Sequence, residues 1–212
     1  MVIAEPVRDR RSERRESAKA EILEAAWRIA RAEGLAAVSL GEIARAVGMR
    51  PPSLYNYFDS KNAIYDAMFA QGAEEFVRME PWDELTGDLV HDLSVMVHAF
   101  VGFCAEDPAR YQLLFQRTIP GFEPSPESYA VSEASLGRIV VHLERCGVTD
   151  PRSIDLFTAL GTGLADQQIS NDPGGDRWIR LIDDAVEMFA NHLTTSTGGN
   201  ARPTPAKGNR AT

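Results

Sequence analysis

The sequence predicts an all-α fold. Apolar residues recur every three or four positions along almost the whole chain, and no segment alternates with the two-residue period of a strand. Clusters of Pro and Gly separate the periodic stretches. At 212 residues the chain can hold one large or two small domains and bury a real core. About nine helices are expected, with no internal repeats. Residues 1–16 are dense in Arg, Glu and Asp with little to bury, so they read as a flexible charged arm. The arm's Arg8, Arg10, Arg11, Arg14 and Arg15 are candidates for touching phosphates or a minor groove. A first helix follows on Ile22, Leu23, Ala26, Ile29 and Ala30, and Gly34 ends it ahead of Val38.

Residues 39–61, SLGEIARAVGMRPPSLYNYFDSK, carry most of the functional information. Leu40, Ile43, Ala44 and Val47 form one apolar stripe, and Gly48 supplies the left-handed position that stops a helix and redirects the chain. Pro51 and Pro52 lack an N–H and fit only the first turn of the next helix. That helix is therefore brief and begins near Arg50. Leu54 and Phe58 face inward, and Arg50, Ser53, Tyr55, Asn56, Tyr57 and Lys61 face outward. This is the layout of a helix-turn-helix, whose second helix enters the DNA major groove.

On these residues the chain resembles the N-terminal domain of the TetR family of transcriptional regulators. The family's places are filled by Ser39, Ile43-Ala44, Gly48-Met49, Leu54-Tyr55-Asn56-Tyr57-Phe58 and Lys61. The motif-bearing match covers about residues 17–70. Two positions depart from the commonest pattern: Arg50 stands where a small Ser is frequent, and Pro51-Pro52 is unusually stiff. The resemblance implies that Tyr55 and Lys61 bind backbone phosphates. It also implies a helical body that holds a small-molecule effector and pairs two protomers through its last two helices, usually in a repressor.

Helical spacing continues through the body. Ile64, Met68 and Phe69 extend a helix to about Arg78, before Pro81. Leu85, Leu89, Leu93, Met96, Val97, Phe100, Val101 and Cys104 mark a wide stripe over Trp82–Glu106. Asp107-Pro108 breaks it and starts a short helix through Tyr111, Leu114 and Phe115. Residues 118–127 hold three prolines and a glycine and form a loop. A helix on Val131, Leu136, Ile139, Val140 and Leu143 stops at Cys146-Gly147. Asp150-Pro151 caps the next, on Ile154, Phe157, Leu160 and Leu164. The last helix is expected from about Asp176 to Leu193. The resulting domains are 17–62 for the helix-turn-helix and 63–195 for effector binding and dimerisation, with a disordered tail over 196–212.

Charge is unevenly split. Residues 1–61 carry 11 Lys/Arg against 9 Asp/Glu, net +2, and the remainder carries 11 against 22, net −11, giving the overall −9. A basic head on an acidic body suits a protein that must meet DNA in one orientation. Cys104 and Cys146 form no disulfide framework or metal spacing and read as part-buried small hydrophobes. No apolar signal core leads the chain, and the most apolar run, Val95–Ala105, is interrupted by His98 and too short to span a bilayer. A cytoplasmic protein without membrane partner is expected.

In the head, Ser39 is a plausible N-cap and phosphate donor, and Tyr57 a further backbone contact. Arg50, Ser53 and Asn56 are the base-reading candidates, with Pro52 placed to pack on a thymine methyl. One short helix covers few base pairs, so a homodimer on a palindromic duplex operator is expected. Its interface candidates are Phe157, Leu160, Leu164, Trp178, Leu181, Ile182, Ala185, Met188 and Phe189. Candidates for lining an effector pocket are Trp82, Met96, Phe100, Phe103, Phe115 and Phe122, with His98, Cys104, Arg117 and Gln168 supplying polarity. Their apolar majority favours a hydrophobic effector. An enzyme is disfavoured, because no nucleophile–base–orienter set is visible and Gly161-Thr162-Gly163 follows no strand. His91 and His98 with Asp88 and Asp92 lack a third ligand of diagnostic spacing. No cofactor and no metal are therefore assigned.

Overall fold

A computed structural model describes residues 10–198. Among them are nine α-helices and no strand: α1 Arg10–Glu33, α2 Leu40–Ala46, α3 Pro51–Leu54, α4 Lys61–Met79, α5 Leu89–Glu106, α6 Pro108–Phe115, α7 Pro126–Arg145, α8 Pro151–Asn171 and α9 Ile182–Gly198. Short 3-10 turns occupy Leu35–Ala37, Trp82–Glu84 and Ile179–Leu181. The chain forms two compact units. One holds the segments up to Glu80 and Gly102–Arg138; the other holds Pro81–Val101 and the chain from Ile139 onward. The expected boundary at 62/63 is thus not a structural one, since α4 runs across it and a central segment belongs with the N-terminal unit.

In the N-terminal unit α1, α2, α3 and α4 share one core of Ile22, Ala26, Ala30, Leu35, Val38, Ile43, Ala44, Leu54, Phe58, Ile64, Tyr65 and Met68. The Tyr65 hydroxyl donates to the Leu35 carbonyl at 2.7 Å inside this core. α1 starts at Arg10, so residues 10–16 are helical where a flexible arm was expected. Arg and Glu are good helix formers, and the apolar stripe downstream supplies the packing that a charged first turn lacks. Arg8 lies outside the described residues. The α6 segment adds Ala109 and Leu113 to the same core. The charged Arg110 is only 3% exposed. Its guanidinium bonds Glu75 at 2.9 Å, Glu106 at 3.1 Å and the Phe103 carbonyl at 3.0 Å, above the Phe103 ring.

In the C-terminal unit the last two helices pack through Phe157 and Phe189, whose rings are 5.8 Å apart, and through the fully buried Ala165, Ile182 and Val186. Buried Gln168 holds their connection: its amide donates to the carbonyls of Gly175, at 3.1 Å, and Asp172, and its oxygen accepts from Trp178 N–H at 2.9 Å. Gly161 lies against the Phe100 ring, whereas Gly163 faces open space. The segment before α5 is a 3-10 turn and loop, so the helix expected from Trp82 starts only at Leu89. Likewise α9 begins at Ile182, after a 3-10 turn, and continues to Gly198. The tail expected from 196 onward is helical to 198, and its remainder lies outside the described residues.

By length and composition α5 is able to cross a membrane, a correction to the shorter run read from sequence. It nevertheless carries buried Asp92 and sends Leu93, Met96, Val97, Val101, Phe103 and Cys104 into the protein interior. Such a helix fits a protein core.

Candidate nucleic-acid interface

Each part of the helix-turn-helix has a local cause. Ser39 is extended at φ −139°, ψ 152°, and its Oγ accepts the Glu42 N–H at 3.2 Å, capping α2. Its hydroxyl proton remains available to donate. Glu42 then pairs with Arg45 at 2.5 Å on the outer face. Gly48 sits at φ +68°, where a side chain would be strained, and turns the chain between α2 and α3.

Arg50 is the N-cap of α3 at φ −81°, ψ 140°, and makes no capping bond with its side chain. Pro51 and Pro52 occupy the first two helical positions. They remove two of the N–H groups that a helix start normally offers to an anion, and the Ser53 N–H is turned back to the Arg50 carbonyl at 2.8 Å. Recognition at this end therefore falls on side chains. Leu54 is fully buried and Phe58 nearly so, which fixes the rotation of α3 about its axis. Around these anchors Tyr55 is 54% exposed, and Arg50, Pro51, Pro52 and Asn56 are exposed. Ser53 is half-buried. Tyr57 differs from the outward position expected, because it packs partly against the core cluster. Tyr57 lies in the turn after α3, and its N–H bonds the Leu54 carbonyl at 2.8 Å, which brings the residue back toward the core.

Lys61 is the first residue of α4. Ser60 caps that helix by accepting the Ala63 N–H at 3.1 Å, and the Lys61 ammonium rests over the Tyr65 ring at 5.1 Å. A cation at a helix N-terminus opposes the helix dipole, and an incoming phosphate would satisfy both.

The other two candidate sets fare differently. The ten residues proposed for an effector pocket are divided between the two units. Phe103, Cys104, Phe115, Arg117 and Phe122 belong to the N-terminal unit, and Trp82, Met96, His98, Phe100 and Gln168 to the other. Phe122 meets the Tyr65 ring at a tilt, Gln168 is committed to backbone, Trp82 meets the His142 ring, and His98 is exposed beside Asp183 at 3.3 Å. A cavity of about 600 Å³ in the N-terminal unit is lined by none of the ten. Its walls are Ala30, Gly34 and charged groups including Arg31, Asp107 and Arg110. Sequence periodicity marks apolar faces and does not separate a lining from a core.

Of the dimer candidates, Phe157, Ile182 and Phe189 are buried within the chain, which corrects their assignment. Leu160, Leu164, Trp178 and Ala185 are partly covered. Leu181 and Met188, the latter 65% exposed, remain open, and Leu156 joins them as an exposed apolar residue not singled out from sequence. His91 and His98 do not form a pair: the His91 ring faces the Glu84 carbonyl at 3.2 Å.

A helical N-terminal unit that presents a rigid, proline-led helix beside a capped second helix is a helix-turn-helix domain. The model of the family described as "Bacterial regulatory proteins, tetR family" matches residues 22–68. YobS, named as an HTH-type transcriptional regulator of Bacillus subtilis, is 34% identical over 93 residues, 43% of this chain and 48% of its own. The chain spans about half the length of the curated relatives it matches. A TetR family transcription regulator from Marinobacter aquaeolei shares the fold at TM-score 0.63 and 21% identity, over 85% of this chain and 97% of its own. So does the transcriptional regulator FadR from Bacillus subtilis, solved in complex with stearoyl-CoA, at TM-score 0.63 and 17% identity, over 80% and 96%. Residues 22–68 are thus similar to the helix-turn-helix domain of that family, and the fold of the described residues is similar to that of its solved members.

Proposed function

We propose that this chain is a transcriptional regulator that binds a palindromic duplex operator as a homodimer, represses from it, and is released by a small hydrophobic effector in the cytoplasm. The observation that carries the DNA reading is the set of exposed side chains on α3 above a buried Leu54–Phe58 anchor. Arg50 has the reach and planar fork for guanine O6 and N7, worth about 1–3 kcal/mol of discrimination. Ser53 and Asn56 read neighbouring positions, and Pro52 packs on a thymine methyl. Ser39, Tyr55 and Lys61 hold phosphates and set the register. Tyr57, partly tucked under the helix, contributes its hydroxyl edge only.

Exposed Leu156, Leu181 and Met188 on and beside the last two helices support the homodimer. An apolar effector is supported by the Phe76, Phe103 and Phe115 rings, which cluster at 5.0 and 5.6 Å in the N-terminal unit with Phe115 partly open. FadR, of similar fold, was solved with a long acyl-CoA. The effector acts by preferring the DNA-incompetent arrangement, and a ten-thousandfold preference, about 5.5 kcal/mol, swings the population almost completely.

The test is selection of bound fragments from a random duplex library with the full chain. Enrichment of a two-fold symmetric site by a dimer is expected, and its release by stearoyl-CoA, used as the first apolar probe, supports the effector reading. A monomer that enriches nothing overturns the DNA reading. A stable operator complex indifferent to acyl-CoA and to a panel of aromatic acids removes the effector clause alone.

A further inference from the structure

The C-terminal unit contains a second cluster of chemistry-bearing side chains, unrelated to the DNA-reading head. Asp92 in the first turn of α5, and His142 and Cys146 one turn apart at the end of α7, place one ligand atom each within 4.8 Å of the others. We propose that Asp92, His142 and Cys146 bind one divalent transition-metal ion of the zinc type.

The distances fit. An ion bound at about 2.0–2.1 Å from oxygen and nitrogen and about 2.3 Å from sulfur requires tetrahedral ligand separations of about 3.3 Å for O···N and about 3.5 Å for the pairs with sulfur. Here Asp92 Oδ2 lies 2.8 Å from His142 Nε2 and 4.0 Å from Cys146 Sγ, and the sulfur is 3.7 Å from Nε2. Each differs from the required separation by about 0.5 Å or less, within reach of small side-chain rotations.

The surroundings also fit. Asp92 is 1% exposed, and its outer lone pairs are already committed. Oδ1 accepts the Thr86 N–H at 2.8 Å and the Thr86 hydroxyl at 3.2 Å, and Oδ2 accepts the Gly87 N–H at 2.9 Å. The remaining lone pair on Oδ2 points at the imidazole. Thr86 and Gly87 thus aim the carboxylate as supporting groups orient a metal ligand. Trp82 stands edge-on to the His142 ring at 6.1 Å and walls that side. Burial and the carboxylates of Asp92 and Asp88 push the Cys146 thiol up. A cation reverses that balance, because a bound divalent ion makes thiolate the favoured form.

Binding is balanced in atoms. The ion displaces the Cys146 thiol proton to solvent, and the imidazole coordinates through Nε2 with its own proton on Nδ1. Two anionic ligands match the ion's two charges, and water takes the fourth position. The ion would tie the loop before α5 to the end of α7.

The test uses the full reduced chain, stripped with a chelator, and Co²⁺ as probe. One Co²⁺ per chain with a thiolate-to-cobalt absorption band, displaced by Zn²⁺, is expected. Cys146→Ser should lose the band and Cys104→Ser keep it, with folding of both checked by circular dichroism. In the unaltered chain, Zn²⁺ should slow alkylation of Cys146 at least tenfold, which needs no variant. No band and no protection overturns the proposal, as does a band that survives Cys146→Ser. This result stands apart from any DNA measurement.

Discussion

Gly48→Ala isolates the conformational cost of the turn between α2 and α3. The residue lies at φ +68°, and a Cβ built there meets nothing within 4 Å, so collision contributes nothing and backbone strain is the whole native-state effect. Placing an L-residue in the left-handed region costs about 1–2 kcal/mol. Stiffening the unfolded chain returns about 0.4–1 kcal/mol. The net loss is therefore about 1 kcal/mol, or a fall of about 2–4 °C in Tm for a chain of this size. Gly48→Asn should lose less, because Asn tolerates this region. Thermal unfolding followed by circular dichroism, with the duplex-binding midpoint measured alongside, gives the order Gly, then Asn, then Ala. If Ala matches or exceeds the native residue, the turn does not need its positive φ and the geometry described for the head is wrong.

Leu54→Ala, at a fully buried anchor, should cost about 2–5 kcal/mol in urea unfolding and loosen α3 enough to weaken every DNA site alike. A cost below about 1 kcal/mol would mean that Leu54 is not the residue fixing α3. Thiol labelling of the folded, metal-free chain should modify Cys146 slowly and Cys104 only on unfolding, since burial pushes the Cys104 thiol up to about 12 against the opposing pull of Arg110. Mass-mapped labelling of Cys104 under native conditions would contradict its burial. Asp183 is held below the usual carboxylate range by the Ser94 hydroxyl, against slight burial, with His98 assisting. A depressed carboxylate adds stability above its unfolded value that is lost as pH falls through the folded one. Asp183→Asn should therefore flatten the stability curve slightly below about pH 4, in a salt-sensitive way because the group is largely exposed. An unchanged acid limb would remove that contribution.

The head was legible because its signals are local. Gly48, the Pro51-Pro52 pair and the Leu54–Phe58 spacing each restrict the backbone within a few residues, and together they leave one geometry. Tyr57 was misplaced by the same logic, since a helix of four residues followed by a turn does not present clean inner and outer faces. The body was legible as helices but not as sites. Phe157, Ile182 and Phe189 lie on stripes that period alone assigns equally well to a partner or to the interior, and the structure turns them inward. The spacing of His142 and Cys146 on one helix face was readable. Asp92 is 50 residues from His142 along the chain, and only the packing of α5 on α7 within the C-terminal unit brings it there. Arg110 was hidden for a related reason: its partners Glu75 and Phe103 come from other helices.

In the proposed complex α3 reads bases while the residues around it grip phosphates. The most direct measurement is the salt dependence of binding to the selected duplex for the native chain, Arg50→Ala and Lys61→Ala. Arg50→Ala should keep the slope and lose about 1–3 kcal/mol of preference for that site over a mismatched one. Lys61→Ala should weaken both sites alike and flatten the slope by about 1 per head. Unchanged site preference in Arg50→Ala together with an unchanged slope in Lys61→Ala would contradict the claim.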